Sequence, residues 1–354
     1  MQKLITFFIV LAALFSACES VYVPDLEEVE KVLVVDARLF TGHSVNEIIL
    51  QKSQGFNEDE PFEPFPDALV QLIDSRGETY SASQVEPGVY RLNNMLDSSL
   101  RYKLHIVAGG ETFESGFEEV QSIPDIGFIY SEHGENWVQA GGEKDAASFI
   151  KTTGQQLFVD IDTDNMPQYY RFFSRKILQF FFPFDTVMYG STTTQYKYGW
   201  KSYYPTEGFN LAAPPEYSTQ KDIVKHPVDF FRYDADALLD STQRNWGWIY
   251  IMYQYGISEA AYNYYNDLNS QLNASGKIFD PMYVQARSNL KCTSDSKKIV
   301  LGNFEITSLR EHRYFVRPDI FTGNHVIRKL DIYHEIPESG IVPIFRPWFW
   351  ERKK

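Results

Sequence analysis

The side chain best placed for covalent chemistry is the thiol of Cys18. It follows Ser16 and Ala17, and ahead of them lie Met1-Gln2-Lys3, a short cationic start, and an apolar run over residues 4–15. That order of charge, apolar stretch and small residues is the pattern of a secretory signal. The run is too short to span a bilayer, which takes about 20 residues. A cysteine at the cut looks like a bacterial lipobox, in which the sulfur receives a diacylglyceryl chain before cleavage. Leu14 stands one place ahead of the motif's usual leucine position, which Phe15 occupies. The expectation is a signal peptide over residues 1–17 and lipidation at Cys18. Each buried lipid CH₂ contributes about 0.8 kcal/mol, so a three-chain anchor holds almost irreversibly.

Other reactive constellations fall short. There is no Gly-x-Ser-x-Gly elbow, no phosphate-binding Gly-x-x-x-x-Gly-Lys and no His-Glu-x-x-His; His334-Glu335 begins as a zinc protease would, but Glu338 stands where the second histidine belongs. Asp160, Asp162 and Asp164 alternate as the start of a calcium loop does. Position six of that loop is Asn165 where glycine is needed, and position twelve is Arg171 where a bidentate glutamate belongs. Exposed carboxylates at a strand end are the expectation, with weak calcium binding as the alternative. No cofactor and no catalytic residue is predicted.

Aromatic residues remain. The chain holds 23 Tyr and 27 Phe, and Phe184, Tyr198, Trp200, Tyr203 and Tyr204 crowd a segment that follows Phe180-Phe181-Phe182-Pro183. Rings with a polar surround suit a protein interface. They could also stack on sugar faces or fill a core. Trp348 and Trp350, before the basic end of the chain, form a second docking candidate.

These residues must be positioned by elements, and composition bounds which. With 44% hydrophobic residues, 354 positions are enough to build a sizeable core, while a net charge of −14 disfavours nucleic acid and anionic lipid. If Cys18 is acylated, Cys292 has no disulfide partner and reads as a small packing residue. An acidic tether covers residues 18–31. Strand-length apolar runs follow at 32–37, 45–51, 68–73 and 102–107, with turns at Ser75-Arg76-Gly77, Pro87-Gly88 and Gly109-Gly110. Strands every 8–12 residues indicate a β-sandwich, Ig-like or transthyretin-like, over 32–124.

A second β-rich domain is expected over 125–354. Its strands are read at 157–161, 169–182, 246–255, 299–306 and 313–316, around an irregular aromatic insertion at 184–225. The pattern predicts one helix over 258–273, capped by Ser258, with Ala261, Tyr265, Leu268 and Leu272 facing the core.

Several of these stretches resemble one family. Val32-Leu33-Val34-Val35-Asp36-Ala37, Ala68-Leu69-Val70-Gln71-Leu72, Gly77-Glu78-Thr79-Tyr80 and above all Val85-Glu86-Pro87-Gly88-Val89-Tyr90 look like domain of unknown function 4249. The stretch from Tyr102-Lys103-Leu104 to Gly110-Glu111-Thr112-Phe113, then Ile123-Pro124-Asp125-Ile126 and Gly302-Asn303-Phe304, continue the likeness. The resemblance implies a Bacteroidota outer-membrane lipoprotein beside a TonB-dependent receptor. The acidic stretch after Cys18 resembles a surface-export signal, so exposure on the cell surface is expected. It brings no catalytic residue. The expectation is a non-enzymatic accessory protein docking on a β-barrel. The alternatives are a glycan- or nutrient-binding surface lipoprotein and a structural subunit of an outer-membrane assembly or secretion complex.

Overall fold

A computed structural model describes residues 31–54, 61–126, 129–139, 149–164, 166, 168–205, 208–234, 238–239, 241–273, 285–318 and 325–329. Cys18, Trp348 and Trp350 lie outside these residues. In the first half, alternation of apolar and polar side chains sets the strands. β1 (Leu33–Phe40), β2 (Asn46–Lys52), β3 (Leu69–Asp74), β4 (Thr79–Glu86), β5 (Val89–Leu92), β6 (Arg101–Ala108), β7 (Glu111–Ser115) and the short β8 (Glu118–Glu119) follow in order. Every second residue of β1 and of β6 is buried, as a strand with one face on a core requires.

Two layers share that core. Val35, Leu50 and Tyr90 from β1, β2 and β5 pack with Val70, Leu72, Leu104 and Ile106 from β3 and β6. β4 joins the layers, because its first half pairs with β3 and its second half with β5. The Pro-Gly turn read at Pro87-Gly88 is real: Gly88 has φ +74°, and a Cβ there would stand 2.5 Å from the Leu50 carbonyl oxygen.

The second half holds β9 (Ile129–Gln139), β10 (Phe149–Ile161), β11 (Tyr169–Met188), β12 (Ser191–Tyr203), β13 (Asn210–Ala212), β14 (Ile223–Arg232) and β15 (Arg244–Ile257). Helix α1 (Glu259–Asn273), β16 (Leu290–Cys292), β17 (Val300–Pro318) and β18 (His325–Lys329) complete it. The fold is mostly β with one helix among the described residues. A three-stranded sheet, β14-β10-β9, packs on β11, β15 and β17 through Leu157, Val159, Phe231, Phe172, Trp248 and Tyr250.

Chain order and packing order diverge at β16 and β17. β16 pairs with β7, and Cys292 is a free, buried thiol in the first core. β17 runs parallel to β1 from Val300 to Thr307 and then antiparallel to β15 from Ser308 to Val316. One strand thus belongs to both halves, and the sandwich over 32–124 is completed by residues from near the far end of the chain.

Helix α1 starts as its sequence indicates: the Ala261 N–H donates to Ser258 Oγ at 3.2 Å. Ala261 and Tyr265 are buried and Leu268 packs beside them, while Leu272 is exposed, contrary to its helical spacing. It sits in the last turn of the helix, beyond the described side chains that bury Ala261 and Tyr265. The segment 184–225 is a second correction. It holds the end of β11, then β12, β13 and the start of β14, in place of an irregular insertion.

Candidate functional site

β11 and β12 form a hairpin whose ladder runs from Lys176↔Tyr203 to Met188↔Ser191. Only Tyr189 and Gly190 remain for the turn, with φ of 50° and 78°. Positive φ at both central residues is the signature of a type I′ turn, whose twist matches that of the strands. β15 supports β11 as far as Phe181, opposite Arg244. From Phe182 to Met188 the ladder partners among the described residues are those of β12. Pro183 falls just past the last supported residue, where a missing N–H deprives no third strand of a donor.

Among the described residues the result is a two-stranded arm that extends about 23 Å beyond its sheet, at roughly 3.3 Å per residue. Its root is held by rings. Phe181 meets Trp246 edge-on at 5.9 Å and Tyr196 at 5.6 Å. Phe180 lies over Gly199, its cross-strand partner, where an added Cβ would stand 2.5 Å from the ring. Toward the tip, Val187 and Tyr189 are exposed, Tyr189 completely so, and Tyr196 is half-exposed.

A second feature lies where β11 meets β9 and β14. β13 pairs with Tyr170–Phe172 and β12 begins at Lys176, so Phe173, Ser174 and Arg175 have no strand partner on that edge among the described residues. A cleft of about 800 Å³ opens beside this gap. On its floor, Asp229 accepts from Ser174 Oγ and from Lys176 Nζ, each at 2.7 Å. Trp137, Phe173 and Tyr204 stand on its walls; Tyr204 stacks on Phe173 at 6.3 Å between centroids.

The aromatic candidates therefore separate. Trp200 is 2% exposed, packed with Ile177, Ile249, Ile251 and Phe315. It is core and can contact neither a partner nor a sugar. It packs with residues of β11, β15 and β17 in its own sheet, which its sequence neighbours do not reveal. Tyr203 is half-buried, edge-on to Trp248 at 5.6 Å, and lines the cleft, as does exposed Tyr204. Phe184 is half-buried within the arm, and Tyr198 sits in β12 opposite Phe181.

Val187 and Trp137 were not singled out by the sequence, whereas Tyr189 belongs to its aromatic segment. The signal for the arm was present in Tyr189-Gly190, a residue-Gly pair between two β-prone runs. Asp160 Oδ1 accepts from the Tyr130 hydroxyl and the Lys225 N–H, and Asp162 accepts from the Asp164 N–H. Among the described residues, no group of three or more His, Cys, Asp or Glu is placed to hold a metal.

Behind the cleft, burial pushes the His226 imidazole down to about 4. Its Nε2 lies 2.7 Å from Asn210 Oδ1, so the neutral ring donates there. A histidine whose folded value is depressed gives stability that is complete above its unfolded value near 6.5. That stability drains as pH falls toward the folded value. Thermal melts of the wild type should therefore lose up to about 3 kcal/mol more between pH 6.5 and 4 than those of His226→Gln. Parallel melting curves for the two would contradict this.

The geometry defines a β-sandwich protein with a projecting ribbon and a side cleft. The chain belongs to the family described as Domain of unknown function (DUF4249), which matches residues 19–313. No curated protein matches it. Among solved structures, it is similar to a DUF4785 family protein from Legionella pneumophila at 9% identity, covering 63% of this chain, with a TM-score of 0.16. The match spans about half of that protein, 52%, and is too slight to carry an argument.

Proposed function

We propose that this protein is a non-enzymatic, lipid-anchored accessory protein of the outer membrane that docks through the β11–β12 arm on a β-barrel partner, such as a TonB-dependent receptor. The arm carries the reading. A ribbon whose outer edges have no ladder partner among the described residues, and with Val187, Tyr189 and Tyr196 exposed, is a liability that soluble proteins normally blunt. Exposed aromatic anchors on a projecting element are what a partner's groove can use. Cys18 supports the membrane setting. Confinement to two dimensions raises the effective concentration of arm and partner, so modest contact area suffices.

The test is affinity purification of the full chain from detergent-solubilised membranes without crosslinker. Wild type should retain a β-barrel protein in comparable amount to itself. Tyr189→Ser combined with Tyr196→Ser should reduce it by about tenfold or more, since two interface rings contribute upwards of 1.4 kcal/mol. Equal recovery by wild type and variant, or no barrel protein with either, would overturn the reading.

A further inference from the structure

We propose that the cleft beside the interrupted edge of β11 binds a neutral saccharide chain. Its volume of about 800 Å³ is in the class of ligand sites, which span roughly 300–1,000 Å³. Charge narrows the ligand. Among the described residues four cations line the cleft, and each is already paired within the protein: Arg38 with Asp36, Arg171 with Glu305, Lys176 with Asp229 and Arg232 with Asp234. An ionic ligand would find no uncompensated partner, and its desolvation would go unrecovered. The ligand is therefore uncharged.

The walls supply flat apolar surface. Trp137 is 59% exposed and Tyr204 54%. A pyranose ring presents C–H groups on its face and hydroxyls around its rim, so it can cover an aromatic ring while hydrogen-bonding at its edge. Donors and acceptors for that edge are at hand. Asn136 Oδ1 accepts from the Trp137 N–H, which leaves its amide NH₂. Gln156 donates to the Leu157 and Asp229 carbonyls, which leaves its amide oxygen. Lys176 donates to Asp229 and to the Phe230 carbonyl, which leaves one of its three N–H groups.

An extended peptide is the competing occupant, since strand addition also exploits open edges. Along β11 the open edge among the described residues is limited to Phe173, Ser174 and Arg175, too short to give a peptide a useful ladder there. β9 and β14 are edge strands of their own sheet, so a peptide is included among the ligands tested. The cleft's own chemistry favours the sugar.

Calorimetry on the detergent-purified full chain tests this with neutral six-sugar chains of glucose, xylose or mannose, against polygalacturonate and an unstructured peptide. At least one neutral chain should give saturable heat. Trp137→Ala should weaken it at least about tenfold, and Tyr189→Ser in the arm should leave it unchanged. Melting temperatures of the variants confirm their fold. No heat with any neutral chain, tighter binding of polygalacturonate or peptide, or undiminished binding by Trp137→Ala would overturn the proposal. The arm's docking is read separately, by partner recovery, so either reading can fail without the other.

Discussion

Replacing Glu305 with Gln is expected to cost about 3–5 kcal/mol of folding stability, the usual penalty for breaking a buried ion pair from one side. Glu305 in β17 accepts from Arg171 Nη2 of β11 and from the Tyr265 hydroxyl of α1, each at 2.9 Å. Burial first, and the Glu305 charge second, hold the Tyr265 hydroxyl well above its ordinary value of 10. The Arg171 guanidinium lies between the rings of Tyr255 and Tyr265, at 4.3 and 4.7 Å. Three elements thus meet at one charge pair. With a neutral amide at 305, Arg171 keeps its charge in a site where both partners were nearly inaccessible to water. Native domains hold only about 5–15 kcal/mol in total, so urea unfolding should show a much earlier midpoint.

The same physics predicts partial rescue. Arg171→Met with Glu305→Leu removes both charges at similar volume, and such replacements are often neutral or stabilising. The double variant should therefore be more stable than Glu305→Gln alone. A Glu305→Gln midpoint within error of wild type, or a double variant less stable than either single one, would show that the pair does not tie the helix to the sheet.

Gly302→Ala is expected to be as damaging, for a reason of backbone geometry. Gly302 has φ +90°, and a Cβ there would stand 1.9 Å from the Val35 carbonyl oxygen. Val35 is its register partner in the parallel β1–β17 ladder. The obstacle is backbone, which cannot rotate away as a side chain can. Left-handed strain contributes about 1–3 kcal/mol and overpacking about 1–3 more. Since β17 serves both halves, the loss should appear as one cooperative transition at lower temperature. Calorimetry would contradict this if Gly302→Ala unfolded at the wild-type temperature.

That junction shows where sequence reasoning stops. Apolar runs at β1 and β3 and alternation in β6 announced strands, and Pro87-Gly88 and Ser258 announced a turn and a cap, because each signal is local. The pairing of Leu33 with Val300 leaves no local trace; a partner more than 250 positions away is chosen by the whole core. The arm was misread for a different reason. One face of the arm is half-buried at Phe182, Phe184 and Thr186 and the other is exposed, but Pro183 and the Tyr189-Gly190 turn interrupt the run and hide the period-two alternation that marks a strand. Thr192, Thr193 and Thr194 then look like a loop. Trp200 illustrates the converse. Aromatic richness predicts contact area, but only the register of β12 on β11 decides which ring is buried beneath it.

The cleft was still less legible. It arises from an interruption between β12 and β13, so its walls combine Trp137 of β9 with Tyr204, just past the end of β12, residues far apart in sequence. Its paired cations are visible only once their partners are placed.

Photocrosslinking in living cells examines the docking arm most directly. A photoreactive amino acid placed at Tyr189, the fully exposed turn residue, should yield a discrete adduct with an outer-membrane β-barrel protein. The same probe at Met95, exposed on the first half of the molecule, should not. An adduct from position 95 alone, or none from position 189, would contradict the docking role of the arm.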